Sequence, residues 1–120
     1  MAYVDGFVLP VPTKNLTAYK KMSQKAGKVW MDHGALEYRE CAGDDMNVSC
    51  GIPFPKLVKP KAGETVVFSY IVYKSKAHRD KVNKLVMSDP RLASMMDPKK
   101  KMPFDCTRMA YGGFKTIVEA

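Results

Sequence analysis

No apolar run in this 120-residue sequence is long enough to span a bilayer. Its longest uncharged stretch, Thr65 to Tyr73, falls far short of the roughly 20 residues that a spanning helix needs. The opening MAYVDGFVLPVPTKN has no basic segment leading into an apolar core, so no secretory signal is expected. Cysteine is scarce. Cys41, Cys50 and Cys106 are odd in number and none is spaced C-x-x-C, which excludes a disulfide framework and predicts free thiols in a reducing cytoplasm. Structural zinc needs about four nitrogen or sulfur ligands, and neither histidine sits at finger spacing from these thiols. Arginine is scarce too: there are four against sixteen lysines. Base and phosphate readers rely on the bidentate arginine fork, so the net charge of +8 and pI near 9.4 read as a solvated lysine surface, scattered except at Lys99–Lys101. With 46% hydrophobic and 27% charged residues, the chain can build a core, and its length suits one domain over 1–120.

Hydrophobic periodicity supplies the elements. Tyr3 to Val11 alternates as a strand, with Tyr3, Asp5, Phe7 and Leu9 on one side and Val4 and Val8 on the other; Pro10 and Pro12 are expected to end it. Leu16, Tyr19, Met22, Ala26, Val29, Trp30 and His33 then recur at helical steps, after a cap at Thr13 or Asn15 and before the natural stop at Gly34. Gly27 weakens this helix and points to close packing on a sheet. Ala35 to Ala42 reads as a second strand. Residues 44–63 form a long proline-bearing connection of the kind that is functional or mobile, and its Ile52, Phe54, Leu57 and Val58 suggest that it packs down on something. Thr65 to Tyr73 is the strongest strand, apolar enough to be central. Ser75 caps a second helix ending at Asp89-Pro90, and Pro90 opens a short helical turn. Phe104 to Val118 closes the chain as a long strand, bulged at Gly112-Gly113.

The order β-α-β-β-α-β is the ferredoxin-like α+β arrangement, a four-stranded antiparallel sheet with both helices on one face. The crossover rule is read here as placing the first and third strands side by side at the centre, running parallel. The helix-free face is expected to show Tyr3 and Phe7, a patch that calls for a second subunit, a ligand or nucleic acid.

Four segments are familiar in their order along the chain: YVDGFVLPVP at Tyr3 to Pro12, HGALEYRECAGDD at His33 to Asp45, GETVVFSYIVYKSKAHRDKVN at Gly63 to Asn83, and MPFDCTRMAYGGF at Met102 to Phe114. They resemble the bacterial YbaA-like family of uncharacterised proteins over nearly the whole length. The resemblance implies membership of the dimeric α/β-barrel superfamily, in which two ferredoxin-like sheets pack face to face, and so implies a homodimer. The stretch NVSCGIPFPKLVKPKAG departs from the family pattern, as does Cys106 where glycine is expected.

Candidate chemistry centres on four residues. Asp5 sits mid-strand among apolar neighbours and needs a partner or a raised pKa. Arg108, placed on the last strand beside the first, is expected to be that partner. The pair would serve as an anion clamp or general base, or as a buried link fixing the dimer register. His33 reads as a proton shuttle or as a helix C-terminal residue facing the dipole. Tyr111, with Tyr70 and Ser69, offers hydroxyls on strands taken as central, as core, interface or catalytic groups. Glu40, Asp44 and Asp45 cluster at the end of the second strand, as a solvated turn or as oxygen ligands without a completing set. His78 is expected at the surface. Met87, Met95, Met96, Met102 and Met109 suggest adaptable core filler or a flexible ligand surface. No metal or cofactor is expected; haem is disfavoured because neither histidine is placed as an axial ligand. Two functions compete: a cofactor-free enzyme with a small-molecule pocket between sheet and helices, as the superfamily suggests, and a non-catalytic ligand-binding or stress-accessory dimer. Nucleic acid is disfavoured, since TVVFSYIVY lacks the RNA-recognition octet.

Overall fold

The β-branched and aromatic run at Glu64–Tyr73 forms a ten-residue strand, β3. It pairs along its whole length with β1 (Tyr3–Pro12). In the computed structural model, which describes all of residues 1–120, these two strands are the centre of the sheet. The short strands β2 (Glu37–Ala42) and β4 (Ala110–Lys115) flank them in the order β2-β3-β1-β4. All three ladders are antiparallel, so β1 and β3 run in opposite directions. The parallel expectation fails because each crossover skips a strand: β3 fits between β1 and β2, and β1 between β3 and β4.

β1 does not stop at its prolines. Its pairing with β4 ends at Val8–Ala110, so Pro10 and Pro12 lie where β1 has only β3 beside it. A residue without an N–H is tolerated on such a locally open edge. β4 is shorter than expected. A 3-10 turn at Cys106–Arg108 precedes it, and Gly112 and Gly113 stay in register with Gly6 and Asp5, without a bulge.

Helix α1 (Leu16–Asp32), α3 (Lys76–Met87) and α4 (Pro90–Met95) lie on one face. Asn15 precedes α1 but does not cap it; its amide donates to the Pro103 carbonyl instead, at 3.1 Å. Ser75 does cap α3, its hydroxyl accepting from the His78 N–H at 3.1 Å. The long connection contains a single helical turn, α2 (Phe54–Val58), closed by Lys59 in the left-handed region (φ 48°). Phe54 rests on Phe68 with ring centroids 6.3 Å apart, whereas Ile52 and Leu57 stay exposed.

Strand alternation gives two unlike faces. The helix-side face carries Asp5, Phe7, Leu9 and Val11 from β1 and Val67, Ser69, Ile71 and Tyr73 from β3, nearly all buried. Phe7 packs against both core clusters there, and Tyr3 and Asp5 both meet Arg79 of α3, which corrects the assignment of this row to the helix-free face. Alternation separates the two rows but does not say which one meets the helices. The uncovered face presents Val4, Val8, Phe68, Tyr70, Val72 and Phe114, with Phe68 42% and Phe114 62% exposed. The two chain ends meet beside it, the Thr116 N–H donating to the Ala2 carbonyl.

Candidate functional site

Between the helices and the covered sheet face lies a cavity of about 600 Å³. Met22, Ala26 and Trp30, which the periodicity assigns to the apolar stripe of α1, line it, and Met22 and Trp30 also pack against the core beside it. All five methionines of the second half, Met87, Met95, Met96, Met102 and Met109, line it as well. These are soft side chains that adapt to what they touch. No residue of the 44–63 connection reaches the cavity.

Two polar stations interrupt the apolar wall. At the first, Asp5 on β1 is buried and accepts from Arg79 Nη1 at 3.2 Å. The same guanidinium lies over the Tyr3 ring, 4.9 Å from its centroid, and donates to the Tyr3 hydroxyl at 3.3 Å. Arg79 comes from α3, not from the last strand. The expected Asp5–Arg108 pair does not form, because Asp5 opposes Gly113, while Arg108 lies five residues earlier, beyond the end of the ladder at Ala110 and in the 3-10 turn before β4. Arg108 forks onto Glu64 at 2.7 and 2.8 Å and also reaches the Lys59 carbonyl. It ties the long connection to the turn before β4 and does not line the cavity.

The second station is built on Glu40, which sequence reasoning placed in a solvated turn. Glu40 points to the helix side of β2, opposite Ser69. Its carboxylate accepts from the Tyr19 hydroxyl of α1 at 2.7 Å and from the Tyr38 hydroxyl at 3.1 Å. Burial is the larger influence and lifts the carboxyl above its ordinary pKa, against the lowering effect of those two hydroxyls and of Ser69 and Ser23. Burial, reinforced by the adjoining carboxylate, also holds both tyrosines well above the usual phenol range, so they remain donors. Gly27 lets the arrangement close: a β-carbon there would lie 2.7 Å from a Tyr38 ring atom. The same four side chains, Tyr19, Ser23, Tyr38 and Glu40, also face a groove of about 610 Å³ between α1 and β2, so the carboxyl stands in the partition between two spaces. Glu40 and Asp5 are two strands and one row apart, on the order of 12 Å, and act as separate groups.

The remaining candidates fall in different places. Tyr111 lines the cavity from the edge strand β4, not from a central strand, and its ring stacks on Phe7 at 5.9 Å, the residue being 72% exposed. Tyr70 turns to the uncovered face and Ser69 to the cavity. His33 ends α1 with Nε2 2.8 Å from Asp89, the residue whose carboxylate caps α4 and also binds Arg91. Arg91, then His33, holds the Asp89 carboxyl far below its ordinary range. His33 thus ties two helix ends together outside the cavity. His78 is half-buried, its Nδ1 accepting from the Lys74 N–H at 2.9 Å. Asp44 and Asp45 do not converge with Glu40, and no three histidine, cysteine or carboxylate side chains gather as metal ligands. Glu40 could have been found in the sequence: it shares alternation parity with Tyr38, and the helical stripe already held Tyr19.

A family model described as "Protein of unknown function (DUF1428)" matches residues 2–106. The "Uncharacterized protein YbaA" of Escherichia coli K12 is 44% identical over 119 residues, covering 99% of both chains, and the protein of that name from Shigella flexneri matches to the same extent. Among solved structures, Rv0793 from Mycobacterium tuberculosis superposes with a TM-score of 0.56 at 11% identity, over 100% of this chain and 99% of that one. An uncharacterized NIPSNAP domain protein from Burkholderia xenovorans gives 0.55 at 11% identity over 95% and 93%. A dimeric ferredoxin-like protein from an uncultured marine organism gives 0.52 at 9% identity over 99% and 98%. At such identities the likeness is one of fold, and the fold is ferredoxin-like.

Proposed function

We propose, for a chain that belongs to the YbaA-like family of unknown function, DUF1428, that it works as a cytoplasmic homodimer which takes a small, mainly apolar organic molecule into the cavity between sheet and helices. There it catalyses cofactor-free proton transfer. The observation that carries this reading is the Glu40 carboxyl, half-buried in the cavity wall and held by the Tyr19 and Tyr38 hydroxyls. A carboxyl lifted by burial is a better proton acceptor than one in water, and its operating range moves toward neutrality. In the proposed step Glu40 takes a proton from an acidic C–H or O–H of the ligand and returns it to a neighbouring atom, an isomerisation that needs no oxidant. Asp5, fixed by Arg79, and the exposed Tyr111 hydroxyl serve as polar anchors along the same wall. Arg108 and His33 brace the fold.

The dimer rests on a separate observation. The uncovered sheet face is apolar and carries exposed rings, and covering it with a second sheet would make the α/β barrel. One structure of similar fold is itself described as dimeric. The three exposed free thiols and the absence of any helix long and apolar enough to cross a membrane support the cytoplasmic placement.

Native mass spectrometry of untagged protein, beside its denatured spectrum, tests both parts. The expected result is a dimer carrying extra non-covalent mass, or one that takes up members of a small-molecule library. A ligand so found is then turned over by the wild type and not by Glu40→Gln, with binding retained. Equal turnover by the variant sinks the acid–base role. A dimer that binds but converts nothing favours the accessory reading.

A further inference from the structure

Beside the cavity lies a third concavity, a groove of about 460 Å³. Lys21 and Lys25 on α1 form one wall, and Lys100 and Lys101 on the loop after α4 form the other. No carboxylate lines it. None of the four ammonium groups takes part in an ion pair, whereas Lys28 on the same helix pairs with Asp32 at 3.5 Å. Lys100 reaches only the Ser94 hydroxyl, at 3.4 Å. Asp97 belongs to the cavity lining, and its carboxylate accepts from the Lys99 N–H. Lysines four apart on a helix repel one another, so concentrating four cations here costs stability and returns none within the fold.

The groove adjoins the cavity and shares part of its lining. Met22, Met95, Lys100 and Met102 line both. A molecule seated with its body among the methionines would therefore carry its near end to the lysines, away from the Glu40 carboxyl. We propose that the ligand is an amphipathic organic anion: an apolar body in the cavity and a carboxylate, sulfonate or phosphate head in the lysine groove. This rests on the cavity being a small-molecule site and adds the class of molecule. Lysine suits the task, since it binds an anion as a point charge without demanding the planar geometry of arginine.

Two dyes that differ by one group test it. 8-Anilino-1-naphthalenesulfonate and N-phenyl-1-naphthylamine share a body, and only the first carries a sulfonate. The sulfonate dye is expected to bind roughly tenfold more tightly in low salt, the sum of several exposed ionic contacts, and to lose that advantage in high salt. In the K21Q/K25Q/K100Q/K101Q protein the two dyes bind alike, with the neutral dye unchanged from wild type; K21Q/K25Q and K100Q/K101Q each lose part of the difference. All four positions are exposed, and unchanged circular dichroism checks the fold. If the neutral dye binds and the sulfonate gains nothing, the head-group site is overturned while the cavity reading stands. If neither dye binds, both fall. If the sulfonate gains nothing but the protein sediments with phosphatidylglycerol vesicles in a lysine-dependent way, the groove serves a lipid surface and the proposal is overturned.

Discussion

Two hydroxyls aimed at one carboxylate make Glu40 easier to ionise than burial alone would allow, yet burial still prevails. The raised folded-state pKa has a thermodynamic sign. Folding favours the protonated carboxyl, so this group's contribution to stability is full below its unfolded value and is lost as pH rises through the folded one. Glu64 behaves in the opposite way. The Arg108 fork, then the Lys61 N–H, lowers its pKa from the ordinary 4.5 to about 2, so its contribution is present above 4.5 and disappears as pH falls toward 2. Denaturant unfolding across pH should separate the two. Glu40→Gln should flatten the decline of stability above pH 4.5, and Arg108→Ala should flatten the decline below it. A Glu40→Gln protein that keeps the wild-type slope would show that the carboxyl ionises as freely folded as unfolded. At this scale the sequence was read only in part. Asp5 stood out because a carboxylate amid apolar neighbours contradicts its surroundings. Glu40 hid because its neighbours Glu37, Arg39, Asp44 and Asp45 make the whole segment look solvated. Arg79 hid because its helix carries polar residues on every side.

Gly27 shows how two elements settle a site between them. Helix propensity alone says that Gly27→Ala should stabilise α1 by about 1 kcal/mol. The new methyl would meet the Tyr38 ring at 2.7 Å, though, and that ring lies between the helix and the sheet with its hydroxyl on Glu40. Overpacking of this kind costs about 1–3 kcal/mol, so a net loss is expected, seen as a lower urea midpoint together with a Glu40 carboxyl that titrates differently. A stabilised variant would mean that the ring swings aside freely. The elements themselves were largely legible, because apolar periodicity, the Ser75 cap and the Asp89-Pro90 stop are local signals. The ends of β1 and β4 were not. Whether a proline ends a strand depends on which neighbour lies beside it, and Arg108 was misplaced because the 3-10 turn that removes it from β4 is held by Asp105, whose carboxylate takes the Thr107 N–H and hydroxyl.

The proposed dimer would close over the uncovered face. Phe68 stands near the middle of that face, flanked in the sheet by Cys41 and Val8 and touched by Phe54 from α2. Phe68→Lys places a charge where a second sheet would sit and leaves the helix-side core untouched. Light scattering should then report a monomer with the circular dichroism of the wild type; a surviving dimer would place the subunit contact elsewhere. The sheet order has one more consequence, for synthesis. β1 is made before both of its partners, so its ladders wait for β3 and then for β4, whose Lys115 pairs with Tyr3. Such non-local pairing is slow. On the ribosome, YVDGFVLPVP must therefore emerge and stay unpartnered while most of the protein is still being translated. Asp5, Pro10 and Pro12 interrupt what would otherwise be an uncharged strand-forming segment, and so act as gatekeepers against mispairing with neighbouring nascent chains during that wait.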